Sequence, residues 1–82
     1  MKKNKNKAIF RLVAKLLEVN ENKININTSV KSLDEYDSLA ILNIMTHFEK
    51  KYKIKQKNLN LKEFESVKGL IKILNRNNIN LK

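Results

Sequence analysis

Apolar residues recur every three or four positions near the start of the chain. Ile9, Val13 and Leu16 fall on one helical stripe, whereas Lys15 lies on the opposite face. This period is typical of an amphipathic helix, because the side chains of a strand alternate with a period of two. The spacing therefore predicts a first helix over about residues 5–19.

A long polar stretch follows this helix and ends at Asp37. Its apolar residues are spaced too irregularly for a helix or a strand; they are Ile24, Ile26, Val30 and Leu33. Connections of this length are uncommon in compact domains and are usually either functional or disordered. The four apolar residues favour an ordered loop that is held against the core.

A second helical pattern begins immediately after this loop. It extends over about residues 38–51, and Asp37 or Ser38 is suited to cap its first turn. Its apolar positions are expected to face the core; they are Ile41, Leu42, Ile44, Met45, Phe48 and Tyr52.

The last third of the chain contains a short helical pattern and a longer one. Asn60 and Glu63 have the spacing of a capping box, which predicts a short third helix. Ser66 is a suitable N-cap for a final helix, whose apolar positions are Val67, Leu70, Ile71 and Leu74. The whole pattern predicts an all-α fold, a small four-helix bundle of three main helices and one short one, with a long loop between helices one and two. A single domain over residues 1–82 is expected, with frayed ends at 1–6 and 76–82.

The composition restricts the chemistry that this chain can perform. A chain of 82 residues forms one modest core and leaves little room for a deep enzyme cleft. Without cysteine it forms no disulfide or thiolate metal site, and its one histidine, His47, is expected at the border of the buried face. We therefore predict no catalytic residues and no metal. No apolar run approaches the roughly 20 residues of a membrane span, so a cytoplasmic protein without membrane insertion is expected.

Charge is distributed unevenly along the chain. The 18 basic and 8 acidic residues give a net charge of +10, yet residues 32–49 contain four carboxylates and no Lys or Arg. This window carries −4 and the rest of the chain +14. A local acidic patch on a basic body can steer a basic partner, because exposed charges more than about 10 Å away are largely screened at physiological salt.

The sequence Tyr36-Asp37-Ser38-Leu39 lies at the centre of this acidic window. Ser38 falls where the loop meets the second helix, so its hydroxyl is expected to be exposed on a rigid element. The unpaired N–H groups and positive dipole at a helix N-terminus suit a phosphate ester at this position. Asp37 would either bind the metal ion of an incoming modifying enzyme or simply cap the helix.

The whole arrangement resembles the acyl carrier protein family over about residues 8–75. The resemblance rests on Asp37-Ser38-Leu39, on the helix that covers residues 42–49, on residues 52–54 and on residues 64–67 before the last helix. It implies that Ser38 carries a 4′-phosphopantetheine arm from coenzyme A, with Asp37 and Leu39 beside it. The thiol of this arm would hold an acyl group as a thioester, which explains how a chain without cysteine takes part in acyl chemistry.

The resemblance also implies a non-catalytic, monomeric carrier. Its partners would be a phosphopantetheinyl transferase, an acyl ligase and acyltransferase-type enzymes. The residues implied in partner binding are Glu35, Tyr36, Asp37, Ala40, Asn43 and Glu49. An acyl pocket between the helices would be lined by Ile44, Met45 and Phe64.

The aromatic residue before Asp-Ser-Leu is similar to a subgroup of free-standing carriers that serve specialised lipid, polysaccharide or secondary-metabolite acyl pathways. The chain differs from fatty-acid carriers, which are strongly acidic and carry acidic residues where this sequence has Ala40 and Asn43.

Two alternatives to a carrier remain open from the sequence. The first is a small basic helical protein that binds nucleic acid, although the second helix lacks any basic residue before Lys50. The second is a carrier-like interaction module whose Ser38 is never modified. A lysine cluster lies beyond the second helix and is either a solvated surface or a docking site for acidic partners or anionic headgroups; it comprises Lys50, Lys51, Lys53, Lys55 and Lys57.

Overall fold

Three α-helices form the body of the molecule. The computed structural model describes residues 3–54 and 60–79, with side chains from Lys7 onward. The α-helices are α1 (Lys3–Leu17), α2 (Ser38–Tyr52) and α3 (Val67–Arg76). Two short 3-10 helices, η1 (Glu21–Lys23) and η2 (Leu61–Glu65), lie in the connections. Within the described ranges the fold is helical, with one isolated β-bridge between Ser29 and Ser66.

The predicted all-α class and the three main helices are confirmed. The short helix predicted between the second and the last main helix is present, but its type is corrected. It is a five-residue 3-10 helix, a form that is common in pieces too short for an α-helix. Asn60 caps it as predicted, with its side chain accepting a hydrogen bond from the Lys62 N–H at 3.0 Å. The predicted capping box is replaced by other contacts: the Glu63 N–H donates to the Asn60 carbonyl, and the Glu63 carboxylate accepts two hydrogen bonds from the Arg76 guanidinium of α3, which lower the pKa of Glu63.

The core lies where the three α-helices meet. Each of them contributes residues at three- and four-residue steps; these are Ile9, Val13, Ala14 and Leu17 from α1, Ala40, Ile44 and Phe48 from α2, and Val67, Leu70, Ile73 and Leu74 from α3. Phe48 and Phe64 meet edge to face with ring centroids 5.6 Å apart. Leu42 differs from the prediction: it is 56% exposed, because it lies on the outer side of α2.

Each α-helix is followed by a residue in the left-handed conformation. These residues are Glu18 (φ 59°), Lys53 (φ 58°) and Asn78 (φ 57°). Glycine is the usual residue at such helix ends, but this chain has only one glycine and uses polar residues instead. The end of α1 thereby turns at Glu18, where the Val19 N–H donates to the Ala14 carbonyl at 3.0 Å.

The loop between α1 and α2 is ordered and attached to the η2–α3 junction. The Val30 N–H donates to the Glu65 carbonyl and the Val67 N–H to the Thr28 carbonyl, both at 3.0 Å. Of the apolar residues predicted to hold the loop, Ile24 is buried, while Val30 and Leu33 are partly buried and pack against the core. Ile26 is half-buried but lies outside this cluster.

Tyr36 provides a further attachment of the loop. It is 1% exposed, and its hydroxyl donates a hydrogen bond of 2.7 Å to the Phe64 carbonyl of η2. Burial, with a smaller contribution from Glu65, raises the pKa of this phenol well above its usual value, so it stays protonated and remains a donor. The residue two positions before Ser38 is therefore held rigidly from inside the protein.

Replacing Tyr36 with phenylalanine is expected to reduce the free energy of unfolding by about 1–1.5 kcal/mol, because a buried carbonyl loses its partner while packing is retained. Urea denaturation followed by circular dichroism measures this. Tyr52→Phe is the matched control, since Tyr52 is only half-buried, and a change below about 0.5 kcal/mol is expected. Equal losses in the two variants would contradict the role assigned to the Tyr36 hydroxyl.

Candidate functional site

Ser38 is the first residue of α2, and its side chain is exposed. The helix begins there because Asp37 is extended (φ −113°, ψ −171°) and its carboxylate accepts a hydrogen bond from the Ala40 N–H at 3.0 Å. The Asp37 carbonyl accepts the first helical bond, from the Ile41 N–H at 2.9 Å. Asp37 is thus the N-cap, and Ser38 occupies the first turn, where unpaired N–H groups and the helix dipole favour a negative group.

An acidic cavity of about 240 Å³ lies on one flank of this first turn. Three carboxylates line it, and they come from Glu18, Glu35 and Asp37. Glu35 and Asp37 belong to the acidic window of the sequence, but Glu18 comes from the end of α1 and was missed. Glu18 has a left-handed backbone conformation just after α1, where the chain changes direction. The spacing of apolar residues gives no sign of this turn. We call this cavity, with the three carboxylates that line it, the acidic cavity.

An apolar cleft of about 390 Å³ lies beside Ser38, between α2 and η2. The residues that line it are Ser38, Ile41, Leu42, Met45, Leu61 and Glu65. Leu42 and Leu61 are 56% and 58% exposed. Two such exposed leucines that line the same cleft form an apolar surface patch. Of the three residues predicted for an acyl pocket, only Met45 lines this cleft, whereas Ile44 and Phe64 are fully buried in the core.

The residues predicted to contact partners divide by exposure. Glu35, Asp37 and Asn43 are exposed around the start of α2. Tyr36 and Ala40 are 1% and 5% exposed, so they support the surface from inside. Leu39, predicted beside the arm, is 65% exposed and lines the acidic cavity.

Glu49 lies apart from this group. It is exposed near the C-terminal end of α2, about 16 Å from Ser38 at the 1.5 Å rise per residue of an α-helix. It therefore does not contribute to the acidic cavity, and it has an interaction of its own within the chain.

His47 lies on the other side of α2, away from Ser38. Its ring packs edge to face with Tyr52 at a centroid distance of 5.8 Å. Burial first, and then the nearby Lys51 and Lys15 ammonium groups, lower its pKa. Among the residues that the structure describes, His, Asp and Glu form no group of three that could hold a metal ion.

The position of Ser38 fits a large pendant group. Its hydroxyl is exposed on a capped, rigid first turn, and a cleft with an apolar lining opens directly beside it. A phosphate ester on this oxygen would lie at the positive end of α2, and an attached chain would have an apolar wall to follow.

No helix in the described part of the chain is both long enough and apolar enough to cross a bilayer.

A family model described as a phosphopantetheine attachment site matches residues 7–74, which span most of α1, all of α2 and η2, and most of α3. Neither the curated proteins nor the solved structures gave a match.

Proposed function

The chain belongs to the phosphopantetheine attachment site family, whose members carry covalently bound 4′-phosphopantetheine, and we propose that Ser38 bears this arm and that the protein tethers acyl groups on it. The observation that carries the proposal is the exposed Ser38 hydroxyl on the capped first turn of α2, within the matched range. Carrier domains of this family are generally non-catalytic, so the chemistry is performed by other enzymes.

Attachment of the arm is a phosphoryl transfer from coenzyme A. Ser38 Oγ forms an ester bond to the phosphorus nearest the pantetheine, the pyrophosphate bond breaks, and adenosine 3′,5′-bisphosphate leaves with the electron pair. The hydroxyl proton passes to a base of the phosphopantetheinyl transferase. The arm then supplies the thiol on which an acyl group is held as a thioester, since the chain has no cysteine.

The residues around Ser38 have separate tasks in this proposal. The N-terminal N–H groups of α2 stabilise the negative phosphodiester. Asp37 fixes the first turn through the Ala40 N–H, and the acidic cavity attracts a transferase with a basic surface. Tethering raises the effective concentration of the acyl group at each partner enzyme.

The apolar cleft is the proposed resting place of the acyl chain. Met45 of α2 and Leu61 of η2 both line it, and burial of each CH₂ group of an acyl chain gains about 0.8 kcal/mol. Ile44 and Phe64 are fully buried in the core and do not line the cleft, so an acyl chain in the cleft does not contact them without a rearrangement of the core.

The specialised pathway and the partners are also part of the proposal. The chain lacks acidic residues at Ala40 and Asn43, which supports service in a specialised lipid, polysaccharide or secondary-metabolite pathway over bulk fatty-acid synthesis. An acyl ligase would load the arm, and acyltransferase-type enzymes would unload it. A cytoplasmic location, where coenzyme A is supplied, is consistent with these reactions.

Intact-mass spectrometry tests the proposed attachment. The purified chain is incubated with coenzyme A, Mg²⁺ and a broad-specificity phosphopantetheinyl transferase. The expected result is a gain of one phosphopantetheinyl group, which peptide fragmentation places on Ser38. An unchanged mass, or an arm on another residue, would contradict the proposal.

Two variants separate the capping role of Asp37 from its charge. Asp37→Asn keeps a good N-cap, so the free energy of unfolding is expected to change by less than about 0.5 kcal/mol, whereas Asp37→Ala costs about 1 kcal/mol. Both remove the carboxylate beside Ser38, and arm attachment is expected to slow about tenfold in each. A time course of the mass gain measures the rate. If Asp37→Asn were modified as fast as the unaltered chain, only the cap would matter.

A further inference from the structure

A second groove lies between α1 and α2, with a volume of about 600 Å³. The residues that line it are Leu16, Leu42, Asn43, Thr46, His47, Lys50 and Lys51. Most of the exposed surface in it is apolar, and Leu16 and Leu42 are its two aliphatic residues. It is a wide, open depression, so it suits a protruding ridge of another molecule better than a small enclosed ligand. We call it the α1–α2 groove.

Positive charge is concentrated at one end of the α1–α2 groove. Lys50 and Lys51 are exposed in the last turn of α2 and line the groove themselves. Lys15 is exposed on α1, and its ammonium group is close enough to His47 to disfavour a proton there, as is that of Lys51. Lys50 and Lys51 thus line one end of the groove, and Lys15 of α1 lies near the His47 that also lines it. Lys53 follows α2, whereas Lys55 and Lys57 of the predicted lysine cluster lie outside the described residues.

The groove is continuous with the surface around Ser38. Leu42 lines both the groove and the apolar cleft, and Asn43 lines both the groove and the acidic cavity. From Ser38 to Lys50 is about 18 Å along α2 at 1.5 Å per residue. The outer face of α2 therefore runs from an acidic end, at the serine, through an apolar centre to a basic end.

We propose that the α1–α2 groove docks an acidic partner protein. The partner would insert an apolar side chain between Leu16 and Leu42 and place carboxylates against Lys15, Lys50 and Lys51. This inference deepens the proposed function and rests on it for its link to Ser38. A partner that is basic near its active site and acidic about 18 Å away would be aligned in one orientation only, because the reverse orientation opposes like charges.

The shape of the surface favours a protein over the other polyanions. Amphipathic surfaces bind bilayers by burying protruding apolar residues in the headgroup region, whereas here Leu16 and Leu42 line an open depression between two helices. Binding to a nucleic-acid backbone depends on neutralising many phosphates, and leucines in the centre of the groove contribute nothing to that. A helix with an apolar side chain flanked by carboxylates matches both the groove and its lysines.

The experiment uses two synthetic helical peptides of equal length. One presents leucines at i and i+4 flanked by glutamates, and the other has lysine in place of each glutamate. Amide chemical shifts of the ¹⁵N-labelled chain are followed during titration. The acidic peptide is expected to perturb the amides of Leu16, Leu42, Thr46 and Lys50 saturably, whereas the basic peptide is expected to leave them unchanged. Failure of the acidic peptide to bind there would overturn the proposal.

Matched variants test the lysines and the leucine separately. The double variant Lys50→Glu with Lys51→Glu is expected to raise the Kd of the acidic peptide at least tenfold. The control is Lys23→Glu with Lys68→Glu, which makes the same charge change at exposed sites outside the groove and is expected to raise the Kd less than threefold. Leu42→Ala is expected to weaken peptide binding about fivefold. Leu61→Ala is its control, because Leu61 is equally exposed but lies outside the groove, and binding is expected to stay unchanged. If the groove variants and their controls changed the Kd equally, the proposal would be overturned.

Three further controls accompany these variants. Negative charge at a helix C-terminus is unfavourable, so the glutamate variant could unfold. In that case Lys50→Gln with Lys51→Gln replaces it, and the proposal then requires at least a threefold rise in Kd. Phosphatidylglycerol vesicles or duplex DNA that displace the acidic peptide at lower concentrations would overturn the proposal in favour of those ligands. Ser38→Ala is expected to leave peptide binding unchanged, so a failure of arm attachment and a failure of docking are distinguished.

Discussion

Replacing Ser38 with alanine is expected to abolish arm attachment completely and to leave the fold intact. The variant removes the only oxygen through which this position can be esterified. Its structural cost is small, because Ser38 is exposed, the N-cap is Asp37, and alanine is the best helix former. The free energy of unfolding should change by less than about 0.5 kcal/mol. Intact-mass spectrometry and urea denaturation measure the two effects on the same sample.

Thr46→Ala provides the matched control. Thr46 also presents an exposed hydroxyl on α2, two turns beyond Ser38. This variant is expected to gain the arm as fast as the unaltered chain, because its hydroxyl lies outside the acidic cavity and the apolar cleft. An arm on Ser38→Ala would show that another residue is modified, and loss of the arm in Thr46→Ala would mean that the transferase recognises more of α2 than its first turn.

The three main helices could be predicted from the sequence because their signals are local. A stripe of apolar residues with a helical period and a capping residue at its start depend only on neighbours in the chain. Ser66 shows this well: it was predicted as the cap of the last helix, and its hydroxyl accepts a hydrogen bond from the Gly69 N–H at 3.1 Å. The predicted position of Ser38 at the start of α2 depends on the same kind of signal.

The features that the sequence did not predict arise from contacts between distant residues. Tyr36 is 28 residues from the carbonyl that its hydroxyl binds, so its anchoring role has no local pattern. Glu18, just after α1, lines the acidic cavity with Glu35 and Asp37, which are at least 17 residues away in the chain. Leu42 was assigned to the core because it is apolar, but only the docking of α1 and η2 decides which side of α2 is covered.

The charges of α2 show a similar division. The acidic window of the sequence groups Glu35 and Asp37 with Asp34 and Glu49, because no basic residue separates them along the chain. In three dimensions the first two join Glu18 beside Ser38, while Glu49 lies on the same helical turn as Lys50 and Lys51. The patch near Ser38 is therefore compact, and it lies at the opposite end of α2 from Lys50 and Lys51.

Gly69→Ala is expected to destabilise the fold by about 3 kcal/mol, against the direction given by helix propensity. Gly69 is buried in the first turn of α3, and alanine inside a helix is normally favoured over glycine by about 1 kcal/mol. A Cβ here, however, would lie inside the backbone of Glu63, only 2.7 Å from its Cα. Overpacked cores typically lose 1–3 kcal/mol, and a backbone neighbour yields less readily than a side chain.

Urea denaturation measures this change, and Lys68→Ala is the matched control. Lys68 is exposed on the same turn of α3, so its replacement should alter stability by less than about 0.5 kcal/mol. The close approach at Gly69 also sets how η2 lies on α3, and η2 supplies Leu61 and Glu65 to the cleft beside Ser38. Displacement of η2 in Gly69→Ala is therefore expected to shift the amide resonances of Leu61 and Met45. A stabilised variant with unchanged resonances there would mean that α3 and η2 are farther apart than described.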